Sequence, residues 1–216
     1  NSRRLRMNSY RIVDESAWNR RIHCAVFRNY IEPSFCVTFE ADITNFLKFV
    51  RQKKYSLTFS LMYTAAKCAN TIEEFRYRFL NDKVVLFDKI DTAFTFLDHE
   101  TQLFKVVRAP LLPSMGEYVA AAKEAAEKQT EYFKGPLEND VFQFSPLPWL
   151  NYTHISHTVS GNRDNATPLF DWGKYRDCGS KILLPFTVQV HHSFADGLHV
   201  AKFAQKLQQC FDTPEG

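Results

Sequence analysis

One histidine in this chain is placed to do chemistry. In His192-Ser193-Phe194-Ala195-Asp196-Gly197 it leaves the strand-like run Leu183 to Val190, and an Asp-Gly pair follows four residues on. Imidazole has an ordinary pKa of about 6.5, so base and acid forms are both accessible near neutral pH. Fixed at the end of a buried strand, it suits a general base, a role typically worth about 10²–10⁴ in rate. Gly197 reads as the residue that permits the turn into the next helix, and Asp196 as the acidic residue at that helix's amino end. Asp196 invites a triad reading, although four positions along a turn it need not reach the ring. His191 should face away from His192 if the strand persists that far, and reads as structural. Rival chemistries lack their signatures. No serine sits in a Gly-x-Ser-x-Gly elbow. The cysteines (Cys24, Cys36, Cys68, Cys178 and Cys210) contain no CxxC, which argues against a zinc knuckle, a disulfide framework or a cysteine nucleophile. His154 and His157 would lie on opposite faces of a strand, with no third ligand at metal spacing, so no metal is expected.

The elements that must hold these residues follow from periodicity. Helical spacing runs over Ala17 to Asn29 after a candidate cap at Ser16, then Ile43 to Arg51, Thr58 to Thr71, Met115 to Gln129 and Gly197 to Cys210. Strand-like runs are Phe35 to Phe39, Val84 to Phe87, Ala93 to Leu97, Leu103 to Val107, Val141 to Phe144, Tyr152 to Ser156 and Ile182 to Val190. Strands and helices alternate irregularly rather than as repeated βαβ units. The expected fold class is therefore α+β, a two-layer sandwich whose mixed, mostly antiparallel sheet is covered by helices.

The segment Thr187-Val188-Gln189-Val190-His191-His192-Ser193-Phe194-Ala195-Asp196-Gly197-Leu198-His199-Val200 resembles the Ser-Val-Gln-Val-His-His-Ala-Val-Cys-Asp-Gly-Phe-His-Val string of the chloramphenicol acetyltransferase family. HxxxDG alone is shared with lipoamide acyltransferases, carnitine acyltransferases and peptide-synthetase condensation domains, so it indicates acyl transfer involving a thioester. Three further segments narrow the likeness. Trp18-Asn19-Arg20-Arg21-Ile22-His23 is similar to the family's Trp-x-Arg-Arg-x-His. Phe94-Thr95-Phe96 through Glu100-Thr101-Gln102-Leu103-Phe104 resembles its central hairpin. Ser145-Pro146-Leu147-Pro148-Trp149-Leu150-Asn151 resembles Ser-Ala-Leu-Pro-Trp-Val-Asn. The likeness extends from about Tyr10 to Cys210.

The resemblance implies a chloramphenicol acetyltransferase-like enzyme that moves an acetyl group from acetyl-CoA to a hydroxylated small molecule. It implies a homotrimer with sites at subunit interfaces. Catalysis falls to the histidine opening HxxxDG, His192; Ser145 is the oxyanion donor, and Asp196 pairs with Arg20 to hold the site's shape. The resemblance offers Trp149, Lys174 and Tyr175 for the coenzyme channel, with Lys53 or Lys54 as poorer matches. Phe27, Ile31, Thr95, Phe104, Val106 and Ile155 match the acceptor pocket. Asp171 stands where the family usually has threonine, Ile155 and His157 where phenylalanine and leucine are common, and Pro146 replaces alanine. Those departures make the acceptor pocket more polar, which leaves chloramphenicol and another alcohol both open. A lipoamide-type acyltransferase and a non-catalytic small-molecule-binding homologue stay as alternatives.

Composition narrows the classes further. The 216 residues carry 45% hydrophobic and 15% aromatic content, ample for one acetyltransferase domain over 1–216. A formal charge of +3 from 27 basic and 24 acidic residues is too balanced for a nucleic-acid surface. Arg3, Arg4 and Arg6 read as a solvated leader, with residues 1–9 expected outside the fold. No apolar stretch reaches the roughly 18 residues of a membrane helix, so a cytoplasmic protein without membrane partners is expected.

Overall fold

The computed structural model describes residues 7–135, 139–158 and 160–215. In chain order the elements are β1 (Tyr10–Ile12), α1 (Arg21–Arg28), β2 (Ser34–Asp42), α2 (Thr44–Lys53), α3 (Leu57–Asn70), a 3-10 turn (Glu73–Phe75), β3 (Tyr77–Leu80), β4 (Lys83–Phe87), β5 (Asp91–Leu97), β6 (Phe104–Ala109), α4 (Met115–Lys128), β7 (Val141–Phe144), β8 (Leu169–Trp172), β9 (Arg176–Asp177), β10 (Ile182–His191) and α5 (Gly197–Asp212). The large sheet is ordered β2-β10-β8-β7-β5-β6, with β9 on β10, and the small one β1-β4-β3. In the large sheet β5–β7 and β7–β8 pair in parallel and the other described pairs are antiparallel. This is the mixed α+β arrangement that the sequence implies.

Register explains which face is buried. Val37, Val188, Phe170, Phe144, Phe94 and Val107 pair in one row across six strands. Because side chains alternate faces along a strand, this row shares one face. That face meets the helices: Phe203 of α5 lies 5.1 Å from Phe170, and Phe59 of α3 lies 5.4 Å from Phe94, centroid to centroid. The neighbouring row, Cys36, Gln189, Leu169, Gln143, Ala93 and Arg108, points the other way. One side of the sheet is thus an apolar core and the other a mostly polar surface, where Ser145, His157, Thr158, Ser160, Asn165 and Thr167 help to wall a pocket.

Two helix starts follow from side-chain capping. Ser56 accepts from the amide of Phe59 at the head of α3, and Ser114 with Glu117 forms a reciprocal box at α4. Ser16 does not cap the first helix as expected. Its amide and hydroxyl both bond Asp14 Oδ1, at 3.0 and 2.6 Å, so the chain turns locally and α1 begins only at Arg21. Nor does Tyr152 to Ser156 form a strand. That segment crosses the polar sheet face, with the Tyr152 hydroxyl 3.4 Å from Thr187 Oγ1. Four short strands escaped the pattern: β1, β3, β8 and β9 have two to four residues each, too few for a clear alternation, and Asp171 interrupts the apolar run of β8. Residues 1–6 lie outside the described residues. Asn8 and Ser9, placed with them in the expected leader, are bonded to Asp140, Asp91 and Asp88.

Candidate functional site

The histidine turn rests on a small core of its own. Phe194 is 2% exposed and sits 4.6 Å from Phe79, 5.7 Å from Tyr77 and 6.1 Å from Trp18. Burying such a ring stabilises by about 1.5–3 kcal/mol, which anchors the turn that follows β10. Above it, Arg20 at the start of α1 reaches across with a bidentate pair to Asp196, at 2.7 and 2.9 Å. The same guanidinium donates to the carbonyls of His192 and Ser193, at 3.3 and 3.4 Å. One side chain therefore ties both ends of the segment 192–196. Its hydrogen bond is the main cause that holds the Asp196 carboxyl down at about 2. The turn does not depend on glycine: Gly197 has no left-handed backbone, and a side chain there would meet nothing within 4 Å.

The two adjacent histidines occupy opposite environments. His191 is 2% exposed; its Nδ1 accepts from the Ser193 amide at 3.1 Å, so Nε2 carries the proton that it donates to the Arg163 carbonyl at 2.8 Å. Burial pushes its pKa down, and both nitrogens are committed to the scaffold. His192 has a side chain 34% exposed, its ring stacked on Phe27 at 3.8 Å and 4° and flanked by Phe35 at 4.8 Å. Its amide is held by the Pro33 carbonyl at 2.8 Å. Asp196 Oδ1 comes within 3.1 Å of Nδ1, but the ring N–H is not aimed at it, and Nδ1 makes no hydrogen bond among the described residues. Arg20 claims the carboxylate instead. The arrangement offers a positioned, reachable imidazole beside a charge-compensated clamp, without the alignment of a triad.

A separate pocket of about 350 Å³ opens on the polar face of the large sheet, its walls including Thr95, Val106, Gln143, Ser145, His157 and Gln189. Ser145 follows β7, its amide on the Phe170 carbonyl at 3.2 Å, while its Oγ has no partner among the described residues. His157 reaches from the covering loop to Asp171 of β8, Nε2 to Oδ2 at 2.5 Å. Burial raises the Asp171 pKa while the His157 contact works against it. His154 is exposed on the same loop, so the strand that would have set the two histidines on opposite faces is absent. Among the described residues no group of three or more His, Cys, Asp or Glu could hold a metal. No described helix is long and apolar enough to cross a membrane.

The residues expected together thus fall into separate groups. His192, Arg20, Asp196 and Phe27 gather at the end of β10, with Ile31 nearby in sequence and 85% exposed. Thr95, Val106 and Ser145 line the pocket, and Asp171 backs it through His157. Phe104 is half exposed against Phe133, and Ile155 is half-buried on the loop; neither lines the pocket. Thr187, paired with Asp171, lies four residues down β10 from His191, roughly 13 Å at strand rise. Trp149 and Lys174 sit on loops joined by two bonds, Lys174 amide to Leu150 carbonyl at 2.6 Å and Asn151 Nδ2 to Lys174 carbonyl at 3.0 Å. Both are exposed, and Tyr175 packs partly against the core, its hydroxyl 3.5 Å from Arg51. Gln143 and Gln189 were missed as pocket residues. A lone glutamine in each apolar run was the available signal, since a polar residue in a buried strand marks the face that is not core.

Comparison with known proteins places these features in context. Residues 7–208 match the family model described as CAT: Chloramphenicol acetyltransferase. Chloramphenicol acetyltransferase 2 of Escherichia coli is 31% identical over 204 residues, 93% of this chain and 96% of that protein. Chloramphenicol acetyltransferase 3 of Escherichia coli is 29% identical over 205 residues, with coverage of 93% and 96%. A solved chloramphenicol acetyltransferase superposes with a TM-score of 0.85 at 25% identity, covering 93% of this chain and 99% of that one. A dihydrolipoamide acetyltransferase of Azotobacter vinelandii, at 18% identity and a TM-score of 0.63, shares the fold.

Proposed function

This chain belongs to the chloramphenicol acetyltransferase family, a family of acyltransferase enzymes, and on that premise we propose that it transfers an acetyl group from acetyl-CoA to a hydroxyl of a small molecule such as chloramphenicol. The observation that carries this reading is His192: a reachable imidazole stacked on Phe27, on a turn fixed at both ends by Arg20. His192 takes the proton of the acceptor hydroxyl at Nε2 while the oxygen attacks the thioester carbonyl. The tetrahedral oxyanion that forms accepts a hydrogen bond from Ser145 Oγ, and its collapse expels the CoA thiolate, which receives the proton back from the imidazole. The products are the acetyl ester and CoA. Trp149, Lys174 and Tyr175 border the coenzyme, with Lys174 as a point charge for phosphate.

His192 is not among the residues lining the pocket that holds Ser145, and Thr187, paired with Asp171, lies roughly 13 Å down β10 from His191. That separation supports a homotrimer in which His192 of one copy faces the Ser145 pocket of the next. Exposed Ile31 and Phe104 are apolar residues that such an assembly would cover. Mixing His192→Ala and Ser145→Ala chains under reassembly conditions should then restore part of the activity that each lacks. The test of the reading as a whole is thiol release from acetyl-CoA with a panel of alcohols. Release that depends on chloramphenicol or a related alcohol supports it; preference for dihydrolipoamide would favour the lipoamide-type alternative, and no release with any acceptor would favour a binding protein.

A further inference from the structure

Acetyl transfer, as assigned above, uses no cysteine, yet two of the cysteines meet. Cys68 lies in the last turn of α3 and Cys210 in the last turn of α5, 142 positions apart in the chain, with their sulfurs 3.4 Å apart. Both are free thiols. Packing holds each where it is. Cys68 is 3% exposed within the main core, and Phe211, next to Cys210, is fully buried against Phe46 of α2 at 4.8 Å. Asn45 of α2 also donates to the Asp212 carbonyl at 3.1 Å, which fastens the end of α5. The two sulfurs differ in their surroundings. Cys210 is half-buried, and the hydrogen bond from Cys68 is the main cause that holds its thiol down at about 7, with Lys67 and Lys206 adding to the effect against burial and Glu215. The same contact, followed by burial, pushes the Cys68 thiol up. Cys210 is therefore the nucleophilic thiolate of the pair and Cys68 the protonated neighbour that donates to it.

We propose that Cys68 and Cys210 form a reversible oxidation site, at which a hydroperoxide closes a disulfide that ties α5 to α3. A disulfide bond measures about 2.05 Å, so the sulfurs need to approach by only about 1.4 Å. The Cys210 thiolate attacks a peroxide oxygen: an S–O bond forms, the O–O bond breaks, and the sulfur is oxidised to a sulfenic acid. The peroxide is reduced to an alkoxide, or to hydroxide from hydrogen peroxide, which takes a proton from solvent. The Cys68 sulfur then attacks the Cys210 sulfur. The S–S bond forms, the S–O bond breaks, and the leaving hydroxide departs as water with the Cys68 proton. In sum, two thiols and one hydroperoxide give a disulfide, an alcohol and water, and a dithiol reductant reverses the change by exchange. Constraint of the unfolded chain stabilises more the longer the loop that is closed, and this loop spans most of the sequence. The closure lies at the far end of α5 from the histidine turn, about 20 Å away at helical rise. Oxidation therefore changes the endurance of the fold and not its catalytic rate.

The experiment treats the full chain, reduced and then freed of reductant, with millimolar hydrogen peroxide. Remaining thiols are blocked with iodoacetamide, and the tryptic peptides are weighed without reduction. The expected product joins the Cys68 peptide to the Cys210 peptide with loss of two hydrogens, and dithiothreitol separates them. The thermal midpoint of the oxidised protein should rise by about 5–15 °C and fall back on reduction. Cys210→Ser should abolish both the linked peptide and the rise. Cys68→Ala keeps the reactive sulfur, so peroxide should leave Cys210 as a sulfenic acid that dimedone traps. Should one variant lose its wild-type circular dichroism, the other decides. Thiols that stay free under peroxide overturn the proposal, as does oxidation that joins Cys178 between chains or carries Cys210 to a sulfinic acid without the link to Cys68. A link that moves the midpoint by less than about 2 °C overturns it too. None of these readouts needs acetyl-CoA, so a linked, stabilised protein without acetyl transfer would uphold the thiol pair and refute the transferase reading, while transfer without the link would do the reverse.

Discussion

Replacing Arg20 with alanine separates the clamp from the chemistry it serves. The substitution deletes two bonds to Asp196 and one each to the carbonyls of His192 and Ser193. Breaking a fully buried ion pair costs about 3–5 kcal/mol, and an exposed one contributes about 0–1. Here the side chains are 12% and 36% exposed, so the expected loss of stability is about 2 kcal/mol. The loss of activity should be larger, because a shift of about 1 Å in a catalytic group can reduce rate by about 10²-fold. The pair also leaves a signature in acid. The Asp196 pKa is lowered from 3.8 to about 2, chiefly by the Arg20 hydrogen bond, so its stabilisation is complete above 3.8 and is lost as pH falls through about 2. Taken bare, that shift would correspond to about 2.5 kcal/mol; with more than a third of the carboxylate in solvent, screening reduces it to about 1 kcal/mol. Urea midpoints at pH 7 and across pH 4 to 2, together with kcat/KM from thiol release, measure all three effects. An Arg20→Ala enzyme that keeps its rate within about threefold, or whose acid stability falls as steeply as wild type between pH 4 and 2, would refute the clamp.

Ser145→Ala should lower kcat by about 10²–10³ while leaving the urea midpoint unchanged, since Ser145 Oγ bonds no described residue in the resting protein. His191 also contributes stability that is lost as pH falls, in a higher pH range than the Arg20–Asp196 pair. Its folded pKa lies below the ordinary 6.5, from burial first and with Arg28 and His192 adding to the effect against Asp164 and the Arg163 carbonyl. The unfolded chain therefore binds the proton first, and stability present above 6.5 is lost as pH falls towards the folded value. Urea midpoints that decline from pH 7 to 5 in wild type, and decline less in His191→Gln, are the expected result.

The sequence exposed the histidine turn and concealed the pocket, for one physical reason. His192, Asp196 and the start of α5 are contiguous, so their spacing in the chain is their spacing in space. Arg20 was legible through its motif, and the bidentate pair with Asp196 is found where that resemblance put it. The pocket draws on β5, β6, β7, β8, β10 and a loop, and no periodicity reveals which of those strands are neighbours. Helices with a serine cap, α3 and α4, were legible to within a residue or two because capping is local. The strand expected at Tyr152 to Ser156 did not form: the segment pairs with no strand, and Tyr152 instead sets its hydroxyl 3.4 Å from Thr187 Oγ1 on the polar sheet face. With it went the ground for setting His154 and His157 on opposite faces. His157 turned out to hold Asp171, a contact between residues 14 apart that only the fold brings together.

The account depends most on a proton leaving an alcohol for His192. The direct measurement is the rate of thiol release from acetyl-CoA by His192→Ala, at saturating alcohol, in protein whose circular dichroism and urea midpoint match wild type. A fall of about 10²–10⁴ with intact binding of both substrates is the predicted result. A variant that folds, binds and still turns over at more than about a tenth of the wild-type rate would contradict it.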